Sequence, residues 1–325
     1  MLTFQEAIDT LDEDEKPSIL LANGFSQAWD AAIFNYANLL EAADFGDRER
    51  VIRPLFENLG TYDFELIMKQ LVAAEAVLNA YGAGEELIQN IVSDKEVLKE
   101  SLITAISSTH PDLPGEVEDN QYVAVRTFLS QFNKIFSINY DLLFYWARNK
   151  YNLAPENYST DDGFRAQRCW EGYGTNQEVH FLHGGLHIYD TGSYIKKHAC
   201  TDDGITIIEQ VRNNLNAGNF PLFVSEPTYQ KKKQRIDHNP YLNYCYQALG
   251  DLSGTLFIHG HSMDENDKHI FNQIKSSRVS KIFVSIYGNE NTEPNTRTKA
   301  NALAFLQRYG VEVDFYQAES APVWA

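Results

Sequence analysis

Apolar runs that stop abruptly on small or polar residues recur along the chain, and most are followed by a stretch of helical spacing. Ser18-Ile-Leu-Leu-Ala22 leads into Asn23-Gly-Phe-Ser26, and Lys134-Ile-Phe-Ser-Ile138 stops on Asn139-Tyr-Asp141 before Leu142-Leu-Phe-Tyr-Trp146. Glu178-Val-His-Phe-Leu182 ends at His183-Gly184-Gly185, and Pro221-Leu-Phe-Val224 at Ser225-Glu226-Pro227. Gly254-Thr-Leu-Phe-Ile258 ends at His259-Gly-His-Ser262, Lys281-Ile-Phe-Val-Ser-Ile286 at Tyr287-Gly288, and Val311-Glu-Val-Asp-Phe-Tyr316 closes the series. Continuous apolar character, without strict alternation, is what strands buried on both faces show. Helices are expected between them, beginning near Asn239-Pro240, Asp264 and Asn295. Strands alternating with helices predict an α/β, Rossmann-like fold with a doubly wound, mainly parallel sheet.

Between the first two runs the period is helical. Trp29, Ile33, Tyr36, Ala37 and Leu40 share one helix face. Further on, Phe64, Ile67, Leu71, Ala74 and Leu78 mark a helix broken at Gly82-Ala-Gly84. Ile88, Ile91, Val92, Leu98, Leu102 and Ile106 mark a second, stopped by Pro111 and Pro114, and Tyr122, Val125, Leu129 and Phe132 carry a third. The stretch from about 61 to 130 reads as a helical insertion or subdomain inside a single domain spanning 1–325. The acidic segment up to Pro17 reads as a short amphipathic helix. The polar stretches 151–177 and 189–203 are long for structureless loops and read as lids or a binding rim.

Composition changes this picture in a few places. A chain of 325 residues can bury a full core, and 43% hydrophobic with 22% charged residues is ordinary for a soluble globular protein. With 45 acidic against 27 basic side chains the net charge is −18, which repels phosphate backbones, so no direct nucleic-acid partner is expected. The basic run Lys231-Lys-Lys-Gln-Arg235 reads as a solvated face. Cys169, Cys200 and Cys245 are too few and too scattered for a disulfide framework or a paired zinc motif, and suit a reducing compartment. The N-terminus lacks a basic segment followed by an apolar one, and no apolar run approaches the ~20 residues that span a bilayer. The expectation is a cytoplasmic protein without membrane association.

If the strands are parallel, Asn23, Gly24 and Ser26, then Asn139 and Asp141, His183 and Gly184, Gly260 and Ser262, and Tyr287 all fall at one sheet edge. That edge is where ligands bind in open α/β sheets. Gly24 would let backbone amides approach a pyrophosphate, and Ser26 doubles as a helix N-cap. The loop is not a full dinucleotide fingerprint, and no clear second strand carries an acidic residue for a ribose, so a nicotinamide-dependent dehydrogenase is disfavoured. Asp141 fits both a cap for the next helix and a place in a pocket. His183 fits a general base, a metal ligand or a structural cap. His259 and His261 with Asp264 and Asp267 offer a metal set by spacing, although no metal is expected. Trp170, Tyr173, Tyr189 and Tyr287 could stack on a base, while core and loop packing accounts for each individually.

Taken in order, Asn23-Gly-Phe-Ser26, Ser137-Ile-Asn139-Tyr-Asp141, Leu182-His183-Gly184 and His259-Gly260-His-Ser262-Met-Asp264-Glu-Asn-Asp267 resemble the sirtuin superfamily. The resemblance is to the bacterial sirtuin-like NADases of antiphage defence more than to protein deacylases, and covers roughly 18–60 and 130–316. It implies that Gly24 and Ser26 hold the phosphates of NAD and that Asn139 and His183 are the catalytic pair. It also implies that Asp141 lines the nicotinamide side and that Gly260 and Ser262 meet the adenosine end or its ribose; Tyr287, at the same sheet edge, joins the expected NAD-binding residues. Ala22 stands where the usual loop has its first glycine, and the paired cysteines that hold zinc in deacylases are absent, which counts against acyl-lysine peptide binding.

The activity implied by the resemblance is hydrolysis of the nicotinamide–ribose bond of NAD, giving nicotinamide and ADP-ribose. The chain would then be an antiphage (abortive infection) effector that depletes NAD once a partner protein or self-assembly activates it. The alternatives are a non-catalytic module that senses NAD or ADP-ribose, a metal-dependent hydrolase using His259, His261 and Asp264, and an NAD-dependent deacylase.

Overall fold

The computed structural model of the protein describes residues 1–32, 34, 39–174, 177–200, 206–226 and 228–325. Its strands are β1 (Ser18–Leu21), β2 (Lys134–Ser137), β3 (Thr160–Asp161), β4 (Gln177–Phe181), β5 (Gly184–Asp190), β6 (Ile195–Lys197), β7 (Pro221–Phe223), β8 (Ser253–His259), β9 (Arg278–Ile286) and β10 (Glu312–Gln317). Among the described residues, seven form one sheet in the order β10-β9-β8-β1-β2-β4-β3, with every neighbouring pair parallel. This is the expected α/β, Rossmann-like, doubly wound arrangement. β1 lies at its centre with Ile19, Leu20 and Leu21 fully buried, which is why its sequence is apolar on both faces.

Helices cover both faces. Ile19, Ile135 and Phe257 are in register across β1, β2 and β8 and share a face. The helices Phe4–Ile8 and Asp119–Ser130 pack there, the Phe4 ring lying 5.1 Å from Phe128 and 5.7 Å from Phe257. On the other face Phe136 stacks on His180 at 4.8 Å, and Tyr173 joins His180 to Tyr244 of helix Pro240–Gly250. From β1 the chain builds outward through β2 to β4, and from β8 it builds the opposite way through β9 to β10. The crevice that such a reversal opens lies between the ends of β1 and β8.

Pro221–Val224 does not join this sheet, contrary to the sequence reading. β7 pairs antiparallel with β5, which also pairs antiparallel with β6 in a separate three-stranded sheet. A three-residue apolar strand carries no signal for its partner, and β5 opens on two glycines that mask it as a strand. Val224 N–H donates to the His183 carbonyl at 2.9 Å, so the small sheet is fastened to the end of β4.

The helical stretch consists of Phe64–Ala80, Glu85–Ser108 and Asp119–Ser130, as the spacing predicts. Gly82, at φ +66°, supplies the turn between the first two. Helix Glu49–Leu59 precedes them unannounced, because Phe45-Gly-Asp-Arg-Glu49 reads as a helix end. The rings of Phe45, Phe56 and Phe64 cluster, and a bidentate Arg48–Asp94 pair ties this helix region together. The N-terminal helix is shorter than expected, Phe4–Ile8, with Thr3 as its cap. Of the helix face expected from Trp29 to Leu40, Ile33, Tyr36 and Ala37 lie outside the described residues, as does Pro227. Among the described residues no helix is long and apolar enough to cross a membrane.

Candidate functional site

Phe181, Ser137, Leu21 and His259 are aligned in register across β4, β2, β1 and β8, so the residues that follow them emerge along one edge. A cavity of about 380 Å³ opens over that edge, within the range of roughly 300–1,000 Å³ typical of small-molecule sites. Of the residues singled out by sequence, Asn23, Asn139, Asp141, His183, Ser262, Asp264 and Asp267 line it. Gly24, Ser26 and Gly260 sit behind its wall. Tyr287 stands apart, 76% exposed, with its carbonyl accepting from the Asn295 amide.

Asn139, Ser26 and Asp141 form one buried network. Ser26 Oγ donates to Asp141 Oδ2 at 2.5 Å and accepts from Asn139 Nδ2 at 2.9 Å, while the same nitrogen donates to the Ala22 carbonyl at 3.1 Å. The Ser26 hydroxyl has one proton and gives it to the carboxylate, so its lone pair must face a donor. That fixes which end of the Asn139 amide is nitrogen and leaves its carbonyl oxygen as the end a ligand can reach. Asp141 Oδ1 also accepts from Leu143 N–H at 3.0 Å, so Asp141 caps the following helix and lines the cavity at once. Burial pushes its carboxyl up to about 6, against the downward pull of the Ser26 hydroxyl and the Leu143 amide. Ser26 is not the helix N-cap that the sequence suggests. The short helix begins at Asn23 with Ala22 as its cap, and Ser26 lies inside it.

Gly24, past the end of β1, and Gly260, past the end of β8, bring their backbones into close contact. Gly24 N–H donates to the Gly260 carbonyl at 2.9 Å, and a Cβ on Gly24 would lie 2.5 Å from the Gly260 Cα. Gly260 has φ +74° and its N–H is held by Ser285 Oγ at 2.8 Å. The two glycines are required by backbone contact, and the Gly24 amide is already committed.

His183 also lines the cavity, buried, with its Nε2 2.9 Å from the Nε2 of His269. Burial, helped by the Lys232 charge, holds His183 well below the usual imidazole range, and burial lowers His269 to about 3. Asp267 completes a group whose donor atoms all lie within 4.8 Å of one another. Burial pushes the Asp267 carboxyl up, but the His261 ring 3.4 Å away and the Lys232 ammonium at 2.7 Å outweigh it, and the carboxylate stays well below its usual range. The set read from spacing does not converge. His259 Nδ1 turns to the Tyr316 hydroxyl at 2.9 Å, His261 Nδ1 accepts from Met263 N–H at 2.7 Å, and Asp264 caps Asn266 N–H.

Glu226 is a cavity residue that sequence reasoning did not single out. It is buried, its Oε2 has no hydrogen-bond partner among the described residues, and burial together with the Asp63 charge pushes its carboxyl up to about 7. Its only sequence signal is an acidic residue at the end of an apolar run. The basic run forms no patch. On helix Tyr229–His238, Lys231 reaches the Gly60 carbonyl, Lys232 pairs with Asp267, Lys233 with Asp237, and Arg235 with Asp63. Among the described residues, the polar stretches 151–177 and 189–203 do not line this cavity. They contribute Arg168, Tyr189, Lys197 and His198 to a smaller one of about 200 Å³, and Trp170 and Tyr173 pack against Tyr241 and Tyr244.

Solved structures similar to the chain include the following two. One is Sir2 with a deacetylated p53 peptide and 3′-O-acetyl ADP ribose, at TM-score 0.38 and 12% identity, covering 99% of this chain and 95% of that one. The other, titled for the structural basis of sirtuin substrate affinity, has TM-score 0.37 and 12% identity, with 99% and 94% covered. Superpositions this loose carry no inference about chemistry. No curated protein matches the chain. A family model described as a domain of unknown function, DUF4917, matches residues 19–324, and the chain belongs to that family.

Proposed function

We propose that the chain binds NAD in the cavity over the sheet edge and hydrolyses its nicotinamide–ribose bond. The observation that carries this reading is the placement of Asn139 and His183 on one cavity, with Asp141 and Glu226 beside them. Cleavage of an N-glycosidic bond develops positive charge on the ribose, which carboxylates aimed at the sugar stabilise. Water attacks the anomeric carbon, the C–N bond breaks with its electron pair leaving on the nicotinamide nitrogen, and the water proton passes to a base. The products are ADP-ribose, nicotinamide and a proton.

The Asn139 carbonyl oxygen, held in a fixed orientation by Ser26 and Ala22, positions a ribose hydroxyl or the attacking water. His183 is deprotonated at neutral pH and available as the base, although its lowered basicity makes it a weak one. Glu226, at about 7, is the better-matched acceptor for that proton. Gly24, Ser26 and Gly260 act by shaping the loop, while Ser262 contacts the ligand directly. In this reading the chain is one domain with its helical stretch as an insertion. Its output is NAD depletion in antiphage defence, released by a partner protein or by self-assembly.

The test is nicotinamide release from NAD by the wild type, Asn139→Ala, His183→Ala and Glu226→Gln. Turnover lost in Asn139→Ala supports the site, and His183 and Glu226 are ranked as base by which loss is larger. Full activity in all three variants defeats the assignment. Tight NAD binding without turnover in any assembly state leaves a sensor module instead, and constitutive activity as a monomer removes the need for an activator.

A further inference from the structure

The floor of the cavity holds an arrangement that NAD hydrolysis does not require. His183 Nε2 and His269 Nε2 face each other at 2.9 Å with their rings only 13° from parallel. A contact this short between two ring nitrogens needs a proton on one and a lone pair on the other. Asp267 brings a carboxylate oxygen to the same spot, all three donor atoms lying within 4.8 Å of one another. This carboxylate is braced from two sides. Lys232 holds Oδ1 at 2.7 Å, and His261 Nε2, buried and without a well-formed hydrogen bond among the described residues, lies 3.4 Å from Oδ2.

We propose that His183, His269 and Asp267 bind one divalent transition-metal ion of the zinc class, and that the bound ion silences the site. Two imidazoles and one carboxylate are a donor set suited to zinc, cobalt or nickel, and not to magnesium or calcium. Around a tetrahedral ion with metal–nitrogen bonds of about 2.0–2.1 Å, neighbouring donors stand roughly 3.3 Å apart. The two rings therefore need to part by only a few tenths of an ångström. Lys232 and His261 then serve as outer partners that orient the ligating carboxylate, as metal-bound carboxylates usually require. His183 and Asp267 both line the cavity, so the ion has an open face toward a ligand. Asp141, Glu226 and Asp264 add carboxyl groups to the wall of the same cavity.

The regulatory part of this inference rests on the NAD-hydrolysis reading. An ion on His183 Nε2 occupies the lone pair that would take the proton, and its charge opposes the developing cation on the ribose. Chelation would arm the enzyme and metal would restrain it.

The experiment titrates chelator-treated protein with cobalt(II), without NAD, and follows the visible absorption of tetrahedral cobalt, then displaces it with zinc. One ion per chain is expected, with affinity weakened at least about tenfold in His269→Gln and in Asp267→Asn, as loss of a ligand does. No uptake by the wild type, or uptake unaltered in both variants, overturns the site. A second arm measures nicotinamide release with zinc and with chelator. Zinc is expected to slow the wild type reversibly, and whatever rate His269→Gln retains is expected to be insensitive to it. Stoichiometric uptake with zinc-insensitive wild-type turnover overturns the silencing. If metal binds but nicotinamide is never released, the hydrolase reading and the silencing built on it fail, while the metal site stands. If metal does not bind, NAD hydrolysis is untouched.

Discussion

Ser26 and Asp141, 115 positions apart in sequence, are joined by a 2.5 Å hydrogen bond between a buried hydroxyl and a buried carboxylate. Removing the hydroxyl leaves the carboxylate oxygen and the Asn139 amide each short of a partner in a buried network. Ser26→Ala is expected to cost about 1–3 kcal/mol of stability, read by chemical denaturation. The lost hydrogen bond favoured the ionised form, so the Asp141 carboxyl should rise further above about 6. Its titration, followed by carboxyl NMR, should therefore move upward in the variant. A downward move would contradict the network.

Gly24→Ala tests the contact between β1 and β8. Its methyl group would meet the Gly260 backbone, which cannot rotate away, so the two strand ends must separate. A loss of about 1–3 kcal/mol or more is expected, as for overpacked cores. Gly115→Ala, with nothing within 4 Å of the added carbon and no positive φ, is the control and should be near neutral. Equal melting temperatures for the two variants would contradict the close approach.

Glu226 should make stability depend on pH. Its carboxyl is raised from 4.5 to about 7, so the stability it confers is fully present below about 4.5 and is lost as pH rises through 7. A shift of that size corresponds to about 3 kcal/mol. Glu226→Gln, which does not titrate, should therefore gain on the wild type between pH ~5 and pH ~8, measured by denaturant midpoints at each pH. A constant difference across that range would mean Glu226 is not held in a desolvating wall.

Buried histidines set the acid limit. Burial lowers His110 and His259 to about 4 and His269 to about 3, from 6.5. The stability they confer is present above 6.5 and is lost as pH falls toward 4, at up to ~1.4 kcal/mol per pH unit for each. Melting temperature should fall steeply between about pH 6 and pH 4, and His259→Gln should flatten that fall.

Much of the fold was legible because its central strands are buried on both faces and its helices are long and periodic. β1, β2, β8 and the helices Phe64–Ala80 and Glu85–Ser108 follow from apolar spacing alone. β7 was misassigned because three apolar residues say nothing about a partner strand. The candidate site was legible where strand ends carry polar side chains, as at Asn139 and His183. Lys232 and Glu226 reach it from a helix and a loop, and His269 meets His183 from another helix, and no local pattern records these placements.

The helix Tyr229–His238 fastens three separate regions with neighbouring side chains. Lys231 holds the end of helix Glu49–Leu59, Arg235 holds Asp63 at the entrance to the helical stretch, and Lys232 holds Asp267 on the cavity floor. It is a clasp, and its consequence is genetic: substitutions along its inner face should yield defects in folding and in ligand handling that travel together. A suppressor of one would be expected to rescue the other.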